Sequence, residues 1–166
     1  MIYNKKALMN EYPGLDEDQY QPAGIDLKLG NIKAFKNNES VYGIANGAKQ
    51  LPEQVDVKES AVKMGPTKLE VGFMLEPHKP YIAVVQNKVK IPLDMLQLYF
   101  PRSSLLRAGV DVRTAVGDSG FNGTLSFLII NHNDTPFFIK KGERFAQMVC
   151  FGLNGETDGY DGTYNE

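Results

Sequence analysis

Apolar residues in this chain recur mostly at every second position, in short runs broken by Gly, Pro and Asn. Ile25, Leu27 and Leu29 alternate with Asp26 and Lys28, the period of a strand with one buried face. Gly24 beside Asp26 marks a place where another backbone or a ligand comes close. Ahead of this strand, Asn4 to Tyr12 predicts a short helix with Asn4 as its cap and Pro13-Gly14 as its stop. An acidic, polar loop then runs to Gln21.

From Ile32 to Lys63 the pattern weakens. Short β-like runs, Ile32 to Phe35 and Val55 to Val57, are broken by Asn37-Asn38, Asn46-Gly47 and Leu51-Pro52, and Asn46-Gly47 suits a hairpin turn. Clearer strands follow at Lys68 to Leu75 and Tyr81 to Gln86, separated by the break at Pro77 to Pro80. Val89 to Pro92 leads into Leu93 to Tyr99, which reads either as a helical turn or as a strand. Thr124 to Asn131 is nearly continuous apolar sequence and predicts a strand buried on both faces. Phe137 to Lys140, Lys141-Gly142-Glu143 and Phe145 to Phe151 read as strand, turn, strand. About ten short strands, with turn signals every ~8–12 residues, predict an all-β barrel or jelly-roll-like fold.

Past residue 153 the pattern stops. The segment 154–166 has no aliphatic residue but contains Gly155, Gly159 and Gly162 with Tyr160 and Tyr164. It reads as a flexible tail on a single β domain spanning 1–153, or as a lid whose tyrosines stack on a base or sugar.

Composition narrows the function classes. A chain of 166 residues is most economically one domain. Its 18 basic and 20 acidic residues leave a formal charge of −2, without the cationic face that nucleic-acid or membrane-surface binding needs. The N-terminus lacks a signal-peptide core and no apolar stretch approaches a spanning helix, so the default expectation is a cytoplasmic protein. The one cysteine, Cys150, lies in the apolar run from Phe145 to Leu153 and is expected to be a buried, inert thiol. His78, His132 and that cysteine cannot form a Cys/His zinc site, and both histidines fall in polar, loop-like surroundings. Walker, G-x-S-x-G and zinc-deaminase patterns are absent.

The chemistry that remains gathers in Pro101 to Gly123. Arg102-Ser103-Ser104 offers a planar fork of donors beside two hydroxyls, a set suited to phosphate. An apolar, strand-like run then leads to the acidic turn Gly117-Asp118-Ser119-Gly120, followed by Phe121 and Gly123. R-S-S and G-D-S-G are each ordinary loop sequence when taken alone.

Four segments occur in a specific order: Ala23-Gly24-Ile25-Asp26-Leu27, Pro101-Arg102-Ser103-Ser104-Leu105, Gly117 to Gly123, and Lys141-Gly142-Glu143-Arg144-Phe145-Ala146-Gln147. Together they resemble the motifs of the dUTPase and dCTP deaminase superfamily, from about Pro22 to the end of the chain. The stretch from Lys79 to Gly109 is more similar to the deaminase branch. The resemblance implies a distorted jelly-roll that assembles as a homotrimer, with active sites at subunit interfaces. It also implies a deoxyribonucleoside triphosphate substrate and Mg²⁺. Residue by residue, it implies that Asp118 activates the water that attacks the α-phosphorus. Phe121, where the family usually has tyrosine, would lie against the deoxyribose. Arg102, Ser103, Ser104 and Gln147 fall on the triphosphate side, and Asp26 supports the metal's hydration shell or the framework of the site.

The same resemblance separates two reactions. The deaminase proton shuttle is a glutamate five residues beyond Gly123, and that position is Leu128, which cannot transfer a proton. Arg107, in contrast, matches an arginine that pairs with this glutamate in deaminases. The tail has no Arg or Lys after Arg144, so it lacks a cationic clamp for the γ-phosphate, and Tyr160, in preference to Tyr164, takes the place of the aromatic cover. The expectation is therefore a dUTP diphosphatase that reads uracil with backbone groups between Val112 and Phe121. The alternatives are a dCTP deaminase or bifunctional enzyme drawing its acid from elsewhere, such as Asp111, and a non-catalytic nucleotide-binding regulator on the same fold.

Overall fold

A computed structural model describes residues 1–36 and 41–165. The chain opens with helix α1 (Lys5–Glu11), where the Asn4 side chain accepts from Ala7 N at 3.1 Å, as the capping pattern predicts. A single 3₁₀ turn at Glu17–Gln19 leads into β1 (Tyr20–Gln21) and β2 (Gly24–Phe35). Next come β3 (Gly43–Ala45), β4 (Ala48–Gln50), β5 (Gln54–Asp56), β6 (Ser60–Met64), β7 (Lys68–Leu75), β8 (Pro80–Lys90) and β9 (Met95–Pro101). Helix α2 (Ser103–Arg107) interrupts the β pattern before β10 (Val110–Arg113), β11 (Asn122–Asn131), β12 (Phe137–Ile139) and β13 (Arg144–Gly152).

The main sheet runs β10-β11-β8-β2-β13-β9, with β1 and β5 also paired to β2. Gln97 on the last strand bridges to Gly117, just beyond β10, so the sheet nearly closes on itself as an all-β, jelly-roll-like barrel. The inward faces supply the core, including Ile25, Leu29, Ile32, Ile129 and Phe145, all fully buried. Burying each such side chain contributes about 1.5–3 kcal/mol. The β3–β4 hairpin turns at Asn46 (φ 50°) and Gly47 (φ 81°), the paired left-handed conformation that favours Asn-Gly.

Several sequence expectations change. Ile32 to Phe35 is the second half of β2, which passes through Gly30 with a register shift between Leu29 and Asn31. A Cβ on Gly30 would stand 2.8 Å from Gln86 Cα, so the bulge brings β8 too close for a side chain. Leu93 to Tyr99 resolves in favour of a strand, starting at Met95. The apolar run after Arg102 is helical over Ser103–Arg107 before it becomes extended. Strands number thirteen among the described residues, not about ten. Asn37-Asn38 lie outside the described residues.

Thr124 to Asn131 is buried on one face only. Leu125, Phe127 and Ile129 point inward, whereas Ser126 is exposed and Thr124, Leu128 and Ile130 are partly exposed. The neighbouring strands β8 and β10 cover the edges of β11, but an edge neighbour cannot cover the outer face of a sheet. Cys150 is fully buried as expected, and burial pushes its thiol up to about 12. His78 and His132 lie at the surface. Among the described residues no helix is long and apolar enough to cross a membrane.

Candidate active site

The acidic turn is anchored on both sides by main-chain bonds. Gly117 exchanges two hydrogen bonds with Gln97 on β9, at 2.9 and 2.8 Å. Gly120 N donates to Ile91 O at 3.0 Å, Phe121 N to Asp118 O at 3.2 Å, and Ile91 N to Phe121 O at 2.8 Å. Asp118 projects between these anchors into a cavity of about 430 Å³ that is also lined by Phe121, Tyr99, Thr124, Ser126 and both tail tyrosines. Gly120 has φ +79°, and a Cβ there would stand 2.8 Å from Gly159 Cα and 2.9 Å from Tyr160 N. Two glycines thus let the tail meet the turn backbone to backbone.

The tail is held in that position by its own chain. Tyr160 N donates to Ser119 O at 2.7 Å, and the Tyr160 ring meets Phe121 edge-on at 5.7 Å. Asn165 accepts from Asn122 N at 2.7 Å through Oδ1 and donates to Tyr160 O at 2.9 Å through Nδ2. Tyr160 therefore packs on the aromatic of the turn, while Tyr164 stands at the cavity wall and is 61% exposed. Within Val112 to Phe121, Ala115 and Val116 make no backbone hydrogen bond with another described residue. Both residues line the cavity.

Asp26, Arg102, Ser103 and Gln147 come together elsewhere, around a second pocket of about 310 Å³ that includes Gln21 and Pro101. The fit of strand to strand explains this grouping. Gln147 on β13 pairs with Asp26 on β2 and with Phe100 on β9, two residues before Arg102. Gly24 permits the approach expected of it, since a Cβ there would stand 2.7 Å from Met148 O. Ser104 lies one residue further along α2, outside this lining, and is exposed.

The carboxylate of Asp26 is almost fully buried, which the alternation of its strand does not predict. Its Oδ2 lies 3.2 Å from Arg102 Nε and 3.5 Å from Arg144 Nη1, without hydrogen-bond geometry to either. Burial raises the carboxyl's pKa and the two arginines lower it, and burial prevails. A raised folded-state pKa means that stability is lost as pH rises from the ordinary aspartate value, about 3.9, through the folded value. Asp26→Asn removes that loss. Urea melts of the two proteins at pH 3.5 and pH 7 should show the Asn variant gaining on the wild type at the higher pH, and an unchanged difference would refute the assignment.

Arg144, which sequence reading passed over within its motif, proves to be the second cation of this cluster. It also donates to Asp18 O at 2.5 Å. Tyr99, which lines the Asp118 cavity, was likewise missed, although its place on the inward face of an alternating strand was readable.

The residues relevant to deamination do not converge. Leu128 lies on the outward face of β11, opposite Ile82 of β8 and Arg113 of β10. Asp111 pairs with Arg113 at 2.9 Å and is absent from the cavity lining. Arg107 is exposed and reaches back toward Ser103 Oγ at 3.5 Å.

Residues 3–153 match the dCTP deaminase-like family. The chain belongs to that family. It is 41% identical over 166 residues to a Methanopyrus kandleri protein named "Probable deoxyuridine 5'-triphosphate nucleotidohydrolase", covering 99% of each chain. The Methanothermobacter thermautotrophicus protein of the same name is 37% identical over 100% of both chains. A Methanocaldococcus jannaschii protein named "Deoxyuridine 5'-triphosphate nucleotidohydrolase" is 33% identical over 99% of this chain and 98% of its own. Among solved structures, the 2'-deoxycytidine 5'-triphosphate deaminase of Agrobacterium tumefaciens superposes with a TM-score of 0.65 at 22% identity. That match covers 90% of this chain, which spans about half (48%) of the deaminase chain, and it is a likeness of fold. Fold and family thus agree with what the four motifs imply.

Proposed function

We propose that the protein is a dUTP diphosphatase, hydrolysing dUTP to dUMP and pyrophosphate. One observation carries this reading: an acid, Asp118, stands in the aromatic-lined cavity, while the position of the deaminase glutamate holds Leu128. The names of the relatives across their full length support it. The Asp118 carboxylate takes a proton from a water as the water oxygen bonds to the α-phosphorus, and the bond from that phosphorus to the bridging oxygen breaks, releasing pyrophosphate. Phe121 packs against the deoxyribose, and the peptide groups of Ala115 and Val116 read the uracil edge. Arg102, Ser103, Ser104 and Gln147 bind phosphate oxygens.

The two pockets share no lining residue. A homotrimer, in which the phosphate pocket of one subunit faces the Asp118 cavity of another, would unite the two groups. The segment 154–166 then acts as the cover of the base, with Tyr160 on Phe121 and the domain proper ending at 153.

Mg²⁺ fits this site as an ion carried by the triphosphate. The described residues offer no group of three or more metal-ligating side chains, and the lone buried oxygen of Asp26 faces two arginines. Asp26 would hold the ion only through its water shell, as hard cations that keep several waters allow. When bound, the ion neutralises phosphate charge. The reaction belongs to the cytoplasmic nucleotide pool.

Purified protein incubated with Mg²⁺ and either dUTP or dCTP, with products separated by chromatography, decides among the readings. The expected result is dUMP and pyrophosphate from dUTP, with dCTP untouched. Conversion of dCTP to dUTP or dUMP would establish a deaminase, and binding of either nucleotide without turnover would establish a regulator.

A further inference from the structure

The inward face of β9 carries Met95, Gln97 and Tyr99. Gln97 is fully buried where a barrel core normally takes an apolar side chain. Its amide is nevertheless held at both ends. Nε2 donates to the Tyr12 hydroxyl at 2.7 Å, and Oε1 accepts from the Tyr99 hydroxyl at 2.6 Å. Each partner is itself fixed. Tyr12 N donates to Leu8 O at 2.9 Å at the end of α1, and Tyr12 O accepts from the Tyr20 hydroxyl at 2.5 Å. The Tyr99 ring packs on Phe127 at 5.0 Å between centroids.

This buried chain ends at the acidic turn. The Tyr99 hydroxyl fills the space that a side chain on Gly117 would occupy, and that Cβ would also lie 2.9 Å from Ile91 Cδ1. Tyr99 O accepts from Thr114 Oγ1 at 2.8 Å, so one residue grips the segment before the turn by its backbone and covers the turn with its ring. The main chain of Gln97 meanwhile holds Gly117 through two hydrogen bonds. Strand, amide and tyrosine therefore all fix the residue that directly precedes Asp118.

We infer that Gln97, acting through Tyr99, is a positioning residue that sets the place of the Asp118 carboxylate. The inference rests on the diphosphatase reading. An unpaired amide buried at this depth is costly. A paired one is directional, and here its nitrogen and its oxygen each hold a tyrosine hydroxyl. It fixes the Tyr99 hydroxyl over Gly117 in a way that a leucine, which could fill the same space, would not. Neither Gln97 nor Tyr99 belongs to the phosphate pocket, and both Gln97→Leu and Tyr99→Phe leave the Tyr99 ring at the wall of the Asp118 cavity, so the effect falls on turnover more than on nucleotide affinity.

Gln97→Leu and Tyr99→Phe are compared with the wild type on dUTP, each also in an Asp118→Asn background. Losing the brace should lower kcat by about ten- to a hundredfold, the scale of an ångström-sized misplacement. KM should stay within about twofold, and Asp118→Asn should absorb the effect so that the double variants turn over no more slowly than Asp118→Asn alone. A purely structural role predicts a lowered melting temperature with unchanged kcat in the folded protein, and that result overturns the inference. So does a loss confined to KM, or a loss that multiplies with that of Asp118→Asn. Tyr99→Phe keeps the ring in place, so it carries the test by the same criteria if Gln97→Leu fails to fold. A wild type inactive on dUTP sinks the diphosphatase reading and this inference with it, whereas an active wild type with unaffected variants sinks the positioning role alone.

Discussion

Asp118→Asn abolishes most dUTP turnover while dUTP still binds. The substitution keeps the size of the side chain and removes its ability to accept a proton, so kcat should fall by about 10²–10⁴, the usual contribution of a general base. The turn itself has no reason to move. Its anchors are the main-chain bonds of Gly117, Gly120 and Phe121, none of which involves the Asp118 side chain. Binding measured by calorimetry with a non-hydrolysable dUTP analogue should therefore stay within a few-fold of wild type. A variant that keeps its kcat would remove Asp118 from the chemistry. One that loses binding together with rate would make it a recognition residue.

Arg102→Met should be the second most damaging change, and for two separable reasons. The guanidinium is the one cationic group lining the second pocket among the described residues, the proposed phosphate site, and truncating a hydrogen-bonded charge at a recognition site costs about 2–5 kcal/mol. On that scale kcat/KM for dUTP falls by roughly one and a half to three and a half orders of magnitude. The variant also leaves the buried Asp26 carboxylate with Arg144 as its remaining cation, 3.5 Å away. Breaking a buried pair outright costs about 3–5 kcal/mol, and the arginine that stays keeps the loss of stability below that range. Arg102→Lys separates the two effects, because a point charge can still compensate Asp26 but cannot offer the planar fork. Initial rates and urea melts should show Lys recovering stability more fully than rate. Equal recovery of both would mean that Arg102 serves the fold alone.

How far the sequence could be read depended on how local each signal was. The Asn4 cap, the Asn46-Gly47 hairpin and the strand of alternating residues at Ile25 to Leu29 depend on neighbours within a few positions, and each is found in the structure. The five-residue helix at Ser103–Arg107 was hidden because Leu105 and Leu106 sit in a run that continues as strand, and one helical turn is too short to show a period. β2 hid its continuation for a different reason: Gly30 interrupts the alternation, and in three dimensions it is the place where Gln86 comes too close for a side chain. Burial of Asp26 was illegible in principle, since it depends on Arg102 and Arg144, from far along the chain. The motifs did point to Asp118, Phe121 and the residues expected to bind phosphate, but not to their division between two pockets. Gln97 was the signal left unread, a polar residue in inward register between Met95 and Tyr99.

The contact of Gly120 with Gly159 bears on how this protein can vary. A Cβ on Gly120 would push into the tail backbone, 2.8 Å from Gly159 Cα, and one on Gly159 would press on the Leu93 side chain at 2.9 Å. Tail and turn therefore cannot drift separately. A relative that acquires a larger residue at the position of Gly120 must reroute its C-terminus, and with it the aromatic that lies on Phe121. The end of the chain, which by composition looks like the segment most tolerant of change, is tied to the residue two places from Asp118.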